Sequence, residues 1–255
     1  MGKRSNIGRI FYGAAIAGIG LTTIYYRDFP YMLFLTQPLQ IPGLVYFIGL
    51  LFILAGASMV FEKKIRPVSF LFGSILLLIF FFNHIPYEFG AGAHYKNLLE
   101  WDNPGKELAL AGGAFVVSGF FTEKNKNTLN MFRERLVPFG TILFSLPVIT
   151  FGILHLLYAK DVSTMVPSWI PRPVFWTYFA GIALLGSGIS MILKIRTGII
   201  AALLGTMIFI WFVILHIPRI INAPISDLEG EVTSAFLALA YSGIAFVVAG
   251  ARSEE

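Results

Sequence analysis

The sequence predicts an all-α integral membrane protein with eight transmembrane helices, arranged as two parallel four-helix repeats about a pseudo-two-fold axis along the membrane normal. Three observations lead to this fold class. The 255-residue chain is 56% hydrophobic and only 13% charged, whereas soluble domains usually carry about 25% charged residues. Its mean hydropathy is +0.76. The apolar residues are gathered into long runs, and part of the run pattern recurs in the second half of the chain.

Each predicted span is an apolar run close to the length of about 20 residues that a helix needs to cross a bilayer. Met1-Gly-Lys-Arg leads into the first run, but no small-residue cleavage site follows it, so we interpret this run as a span and not as a signal peptide. The third and fourth runs are short. The eight runs are Ile7–Tyr26, Leu44–Phe61, Val68–His84, Glu107–Phe121, Phe139–Tyr158, Val174–Leu193, Gly198–Ile217 and Val232–Ala251.

The two halves of the chain are similar in sequence when they are offset by 132 residues. Twelve of the 41 positions from 46 to 86 are then identical, including glycines and the triplet His84-Ile-Pro86, which recurs as His216-Ile-Pro218. A shared triplet and shared glycines are unusual for unrelated apolar segments, so we interpret the chain as an internal duplication. The predicted units are a first four-helix repeat at 1–121, a charged cytoplasmic linker at 122–136 and a second repeat at 137–255. Because each repeat has an even number of spans, the two copies would lie parallel.

The positions of the basic residues predict the orientation. With the N-terminus in the cytoplasm, thirteen of the 19 Lys and Arg residues fall on the cytoplasmic side and six on the outer side. Cytoplasmic loops carry the excess of Lys and Arg. We therefore expect a multi-pass protein of the cell (inner) membrane with both termini in the cytoplasm and the lipid bilayer around it.

Composition excludes several classes of function. The chain has no cysteine, so it cannot form a disulfide, a thiolate nucleophile or a cysteine-ligated metal centre by itself. Its basic residues are scattered over short loops, which argues against nucleic acid as a partner. No His-x-x-x-His or Glu-x-x-His spacing occurs, so we predict no metal site. No isolated charge is expected in the middle of a span, which weakens the case for an ion-coupled transporter.

The four histidines all fall at or beyond the outer membrane surface in this topology. His84 and His216 occupy equivalent positions in the two repeats, and His155 lies near the outer end of the fifth span. Histidine near the hydrocarbon boundary is a candidate functional residue. A pair facing a shared cavity could hydrogen-bond a quinone carbonyl, shuttle its protons or ligate haem through two axial nitrogens. Alternatively, each histidine caps a helix that the following proline ends.

A proline-rich connection follows the fifth span on the outer side. The run from Pro167 to Pro173 contains Trp169, and Trp176 follows. Three prolines in seven residues cannot continue a helix, so this segment is either an aromatic anchor at the headgroups or a lid over a pocket between helices. Among the acidic residues on the same side, Glu107 and Glu231 begin predicted helices, where dipole compensation explains them.

The second copy, from Gly152 to Gly188, resembles the DoxX-like family of small four-helix membrane proteins. The resemblance rests on Gly152 and His155 near the end of the first helix, on Pro-x-Trp-x-Pro at 167–171, and on Tyr178 with Gly181 and Gly188 in the next helix. The first copy follows less closely: Thr23 stands where His155 does, and Gln40 stands where Trp169 does.

The family includes proteins similar to the membrane subunit of a thiosulfate:quinone oxidoreductase, so the resemblance implies a quinone connection. Two functions follow as expectations. The first is a quinone-linked redox subunit with an outward-facing pocket, and any thiol chemistry would then require a protein partner. The second is a non-catalytic accessory or assembly subunit, or a binder of small hydrophobic molecules. The candidate ligand-binding residues are His84, His155, Trp169, Trp176, Tyr178 and His216.

Overall fold

The computed structural model describes residues 3–33, 43–90, 94–120 and 135–251, and those residues form an all-helical bundle. Eight long helices follow one another in the described ranges, with short helical turns between some of them. They are α1 (Lys3–Tyr26), α2 (Leu44–Phe61), α3 (Ile65–Glu88), α4 (Asp102–Phe120), α5 (Leu136–Leu157), α6 (Pro173–Ile192), α7 (Thr197–Asn222) and α8 (Leu228–Ala251). The predicted linker at 122–136 lies almost entirely outside the described residues.

Seven of these helices are long and apolar enough to cross a membrane, which confirms the prediction of a multi-pass helical membrane protein. The exception is α4, whose first turns carry Asp102, Lys106 and Glu107. Fourteen of its 19 residues are buried inside the protein, and many of those are Gly and Ala. A helix surrounded by other helices needs small residues for close packing more than it needs lipid-facing apolar side chains, so its composition is less hydrophobic than that of its neighbours.

The bundle has a central group of helices and an outer group. The central helices pack side by side in the order α1, α8, α4 and α5, while α2 and α3 cover one flank and α6 and α7 the other. Glycines at the crossings permit this spacing. A Cβ atom on Gly20 of α1 would lie 2.5 Å from the carbonyl oxygen of Gly49 on α2, and one on Gly152 of α5 would lie 2.6 Å from the backbone nitrogen of Leu185 on α6.

Two wide π-helical turns interrupt α3 and α7 at positions 132 residues apart. They span Phe80–His84 and Phe212–His216. In the first, the amide of Ile85 donates to the carbonyl of Phe80, five residues earlier. A wider turn of this kind often marks a functional position. Each helix then continues through the proline of the His-Ile-Pro triplet, to Glu88 in α3 and to Asn222 in α7.

The interpretation of His84 and His216 as helix-ending caps is therefore wrong. Proline in a helix normally removes one backbone hydrogen bond and pushes against the preceding turn. The π turn provides the extra room directly before Pro86 and Pro218, so neither proline ends its helix. We call the end of the bundle at which α1, α3, α5 and α7 finish the distal end; both π turns lie near it.

Candidate functional site

A cavity of about 520 Å³ lies at the distal end of the second half of the chain. Its walls come from α5, α6, α7 and α8, the first turns of α4 and the segment after α5, with Met32 and Leu99 contributed by the connections after α1 and before α4. The lining is mostly apolar, and this volume falls in the range of sites for small molecules. The apolar and aromatic lining residues include Phe151, Leu154, Trp176, Leu184, Met207, Trp211 and Leu237.

Several polar side chains line this mostly apolar cavity, among them His155 from α5, His216 from α7 and Tyr241 from α8. The others are Asp102, Lys106, Tyr158, Trp176, Thr177, Trp211 and Ser234. His155 Nδ1 lies 2.7 Å from the carbonyl oxygen of Phe151. A carbonyl can only accept, so Nδ1 carries the hydrogen and Nε2 is left as an acceptor. Among the described residues, neither His216 Nδ1 nor the Tyr241 hydroxyl has a hydrogen-bond partner, although both atoms are buried.

Unpartnered polar atoms in an apolar cavity are costly. A buried donor or acceptor without a partner costs about 1–3 kcal/mol. His216 and Tyr241 would both recover that cost if a ligand placed a carbonyl or hydroxyl between α7 and α8. Because Tyr241 is a donor and acceptor and a neutral imidazole nitrogen can be either, the cavity suits a small apolar molecule with one or two oxygen atoms.

The distal edge of the bundle near this cavity is held by an ion pair between α7 and α8. Arg219 Nε donates to Glu231 Oε2 at 2.7 Å, and a second guanidinium nitrogen contacts the other carboxylate oxygen. This two-bond geometry fixes the two helices relative to each other. Nearby, burial raises the pKa of the Tyr31 phenol, and the negative charges of Glu231, Glu229 and Asp227 raise it further. Tyr31 therefore remains uncharged at neutral pH.

Three of the six predicted site residues line the cavity, namely His155, Trp176 and His216. Tyr178 does not, and its side chain is 45% exposed. It lies two positions beyond Trp176, which places it on the other side of α6 from the lining residues Thr177, Ala180 and Leu184. Trp169 is also outside the lining and is 66% exposed, as expected for an anchor in the headgroup region.

His84 lies apart from this cavity, so the expectation that His84 and His216 face one shared cavity is not met. His84 is completely buried, and its Nε2 lies 3.0 Å from Glu107 Oε2 and 3.1 Å from the carbonyl oxygen of Leu33. The capping interpretation of Glu107 is also wrong. Glu107 is the sixth residue of α4, beyond the first turn, and is itself completely buried.

Sequence reasoning missed Tyr241 and the face of α8 on which it lies. Ser234, Leu237, Ala238 and Tyr241 all line the cavity, and their spacing of three and four residues is that of one helix face. The available signal was the one tyrosine of α8, which lies near the middle of this helix, where its hydroxyl needs a partner.

Comparisons with known proteins add no relative. No family model matches the chain, and neither the curated proteins nor the solved structures contain a match. Among the described residues, no group of three or more His, Cys, Asp or Glu side chains has an arrangement that could hold a metal ion.

Proposed function

We propose that this chain is an integral membrane protein that binds a small apolar molecule carrying a carbonyl or hydroxyl group, with a quinone headgroup as the ligand class that fits best. The proposal rests on two buried atoms of residues that line the cavity, His216 Nδ1 and the Tyr241 hydroxyl oxygen. Among the residues that the structure describes, neither atom has a hydrogen-bond partner. A quinone presents flat apolar faces to the lining and carbonyl oxygens to these two groups.

The same proposal includes a duplicated, DoxX-like architecture with eight spans. Backbone features recur 132 residues apart in support of the duplication: the π turns of α3 and α7, and the left-handed residues Glu62 and Lys64, which correspond to Lys194 and Arg196. The glycine crossing of α1 with α2 recurs between α5 and α6. With α4 counted as the eighth span, both termini lie on one side, which the basic residues predict to be the cytoplasm.

If the bound quinone takes part in electron transfer, a partner protein is required. A quinone gains or loses electrons only together with a donor or acceptor, and the resemblance to a quinone oxidoreductase subunit implies that a second protein supplies it. The pocket residues would then position the quinone and exchange its protons, roles for which neutral imidazole and phenol groups are suited. Without such a partner, the same cavity serves a binding or accessory role.

The first test is whether the purified protein carries and binds a quinone. We expect an organic extract of the gently solubilised protein to contain quinone in a stoichiometric amount. Trp176 and Trp211 line the cavity, so a short-chain ubiquinone analogue should quench tryptophan fluorescence with saturation. An extract with bulk lipid only, together with quenching that does not saturate, would contradict the proposal.

A matched pair of tyrosine variants identifies the site. Tyr241→Phe removes the unpartnered hydroxyl and should weaken binding up to about tenfold, since one hydrogen bond contributes about 0.5–1.5 kcal/mol. Tyr12→Phe is the control, because the Tyr12 hydroxyl already donates to the Leu110 carbonyl at 2.6 Å and lies outside the cavity. Equal affinity in wild type, Tyr241→Phe and Tyr12→Phe would place the ligand elsewhere.

A further inference from the structure

Three ionisable side chains near the distal end of the first half have no exposure to solvent. They are His84 and Glu88 on α3 and Glu107 on α4. None of them lines the cavity of the second half. Buried ionisable groups within a membrane protein are expensive, so they indicate a function by default. No part of the ligand-binding proposal uses these three residues.

His84 and Glu107 form the inner part of this cluster. The Nε2 atom of His84 approaches both Glu107 Oε2 and the carbonyl oxygen of Leu33. Only the contact with Leu33 has the direction of a hydrogen bond, so within the described residues both oxygens of Glu107 remain without one. Since a carbonyl can only accept, Nε2 carries the ring hydrogen of neutral His84, and the lone pair is on Nδ1, which is buried and has no partner among the same residues.

Glu88 forms the outer part of the cluster. It lies four residues after His84, a spacing that places two side chains on neighbouring turns of one helix face. Its carboxyl group interacts electrostatically with Glu100, His94 and His84. In the part of the chain that the structure describes, neither oxygen of Glu88 has a hydrogen-bond partner.

The connection between α3 and α4 brings His94 and Glu100 to the distal surface above Glu88. The rings of His94 and Tyr87 stack with centroids 4.5 Å apart, which holds the imidazole over the end of α3. The groups then follow one another inward as Glu100 with His94, Glu88, His84 and Glu107. The remaining charged groups at the start of α4, Asp102 and Lys106, pair with each other.

Charge arithmetic shows that the buried cluster must hold protons. Two ionised carboxylates with one neutral imidazole would place two uncompensated negative charges in the interior, where an unpaired charge is strongly unfavourable. A single imidazolium can balance only one of them. At least one carboxyl group must therefore be protonated for the cluster to reach neutrality.

We propose that His84, Glu88 and Glu107 form a buried proton-binding site that exchanges protons with the distal surface through Glu100 and His94. In the inner step, Glu107 releases its proton while His84 takes one up at Nδ1, because Nε2 already carries the hydrogen that faces the Leu33 carbonyl. This converts a neutral carboxyl–imidazole pair into a carboxylate–imidazolium pair, and the Nε2 hydrogen is then accepted by Leu33 or Glu107. No electrons are exchanged, and the net charge of the pair stays the same. Glu88 receives the proton in the next step and passes it outward.

The second half lacks both carboxyl groups of this site. Under the 132-residue offset, Ile220 stands in the place of Glu88. A one-residue gap after α3 aligns Ala114-Phe-Val-Val117 with Ala245-Phe-Val-Val248, and this offset of 131 places Ala238 in the position of Glu107. Only the histidine is retained, as His216. The two halves would thus have different tasks, with proton exchange in the first and ligand binding in the second.

Infrared difference spectroscopy of the purified full-length protein tests the proposal directly. Between acid and alkaline buffer, we expect a carbonyl stretching band of a protonated carboxyl group that shifts in D₂O. Glu107→Gln should remove or reduce this band, and His84→Gln should move the pH at which it titrates. Glu88→Gln should slow deuterium exchange of the band about a hundredfold, the lower range for loss of a positioned proton-transfer group.

The control is Glu231→Gln, because Glu231 is paired with Arg219 at the edge of the second half; this variant should keep the band and its exchange rate. The wild-type spectrum tests the presence of a protonated carboxyl group even if a variant fails to fold. Absence of any protonated carboxyl band in the wild type, or a band that persists unchanged in Glu107→Gln and Glu88→Gln, would overturn the proposal. The infrared measurement requires no quinone, so a negative result would contradict the proton-binding proposal without contradicting the ligand-binding proposal.

Discussion

One aligned pair of residues, Glu107 and Ala238, illustrates how the two halves of the chain differ. Glu107 is buried against His84 in the first half, while the aligned residue Ala238 lines the cavity beside His216 in the second. An alanine leaves open the space that a glutamate side chain would occupy. The small side chain of Ala238 therefore contributes to the space beside His216.

This reasoning predicts that Ala238→Glu obstructs the cavity beside His216. The new carboxyl group should lie near His216, as Glu107 lies near His84, and occupy the space beside the imidazole where the ligand oxygen would bind. We expect saturable quinone quenching to be lost while the helical circular dichroism spectrum is retained. Ala238→Ser serves as the control, because it adds one oxygen atom without filling the cavity. Undiminished binding in Ala238→Glu would show that the ligand does not occupy this space.

At the scale of residues, the sequence predicted those site residues whose signal is local. His155, Trp176 and His216 were identified because histidine and tryptophan at a membrane boundary are conspicuous in any sequence. Glu107, which contacts His84, was not identified as its partner, because it is 23 positions away and the contact depends on how α3 packs on α4. The unpartnered Tyr241 hydroxyl is likewise a property of the packed bundle.

At the scale of helices, the glycine crossings set how closely neighbours approach. We predict that Gly152→Ala lowers the thermal unfolding midpoint in detergent, because the new Cβ would lie 2.6 Å from the Leu185 backbone nitrogen and 2.9 Å from the Gly181 oxygen. Backbone atoms cannot move aside easily, and overpacking of this kind costs about 1–3 kcal/mol.

Gly186 provides the matched control on α6. No atom lies within 4 Å of a Cβ placed there, so Gly186→Ala should be neutral or stabilising by up to about 1 kcal/mol through helix propensity. If both variants lower the midpoint equally, the effect belongs to helix propensity or expression and not to the crossing of α5 with α6.

Hydrophobic patterning predicted which segments are helical better than it predicted where they end. The bounds of α2 agree with the sequence prediction, Leu44–Phe61, because charged residues and a proline border that apolar run. The predicted ends of α3 and α7 fell short, at His84 and Ile217. Proline is a helix-ending signal in most sequences, and only the π turn before it, a feature of backbone geometry, allows these helices to continue.

At the scale of the whole molecule, the position of α4 explains the count of apolar helices. A sequence window recognises a span by its apolar composition, which reflects contact with lipid. Because α4 lies between α3, α5 and α8, it contacts protein on most sides and carries a buried glutamate. Contact with protein thus accounts for the low apolar content of α4, whose 19 residues would extend about 28 Å at 1.5 Å per residue, close to the hydrocarbon thickness.

The topology yields a prediction that the cysteine-free sequence makes easy to test. Single cysteines can be introduced in cells without a background, and a membrane-impermeant thiol reagent then reports the side on which each lies. With eight spans and cytoplasmic termini, Asn97→Cys and Ser226→Cys should be labelled in intact cells. Lys63→Cys, Arg135→Cys and Lys194→Cys should be labelled only after permeabilisation.

Asn97 and Arg135 decide whether α4 crosses the membrane, because they lie on either side of this helix in the chain. If α4 crosses, these two cysteines differ in accessibility. If both were labelled in intact cells, α4 would not separate them, the chain would cross seven times, and its termini would lie on opposite sides. The two halves would then be antiparallel in the membrane, which would place His84 and His216 at opposite surfaces and remove the parallel duplication from the proposed function.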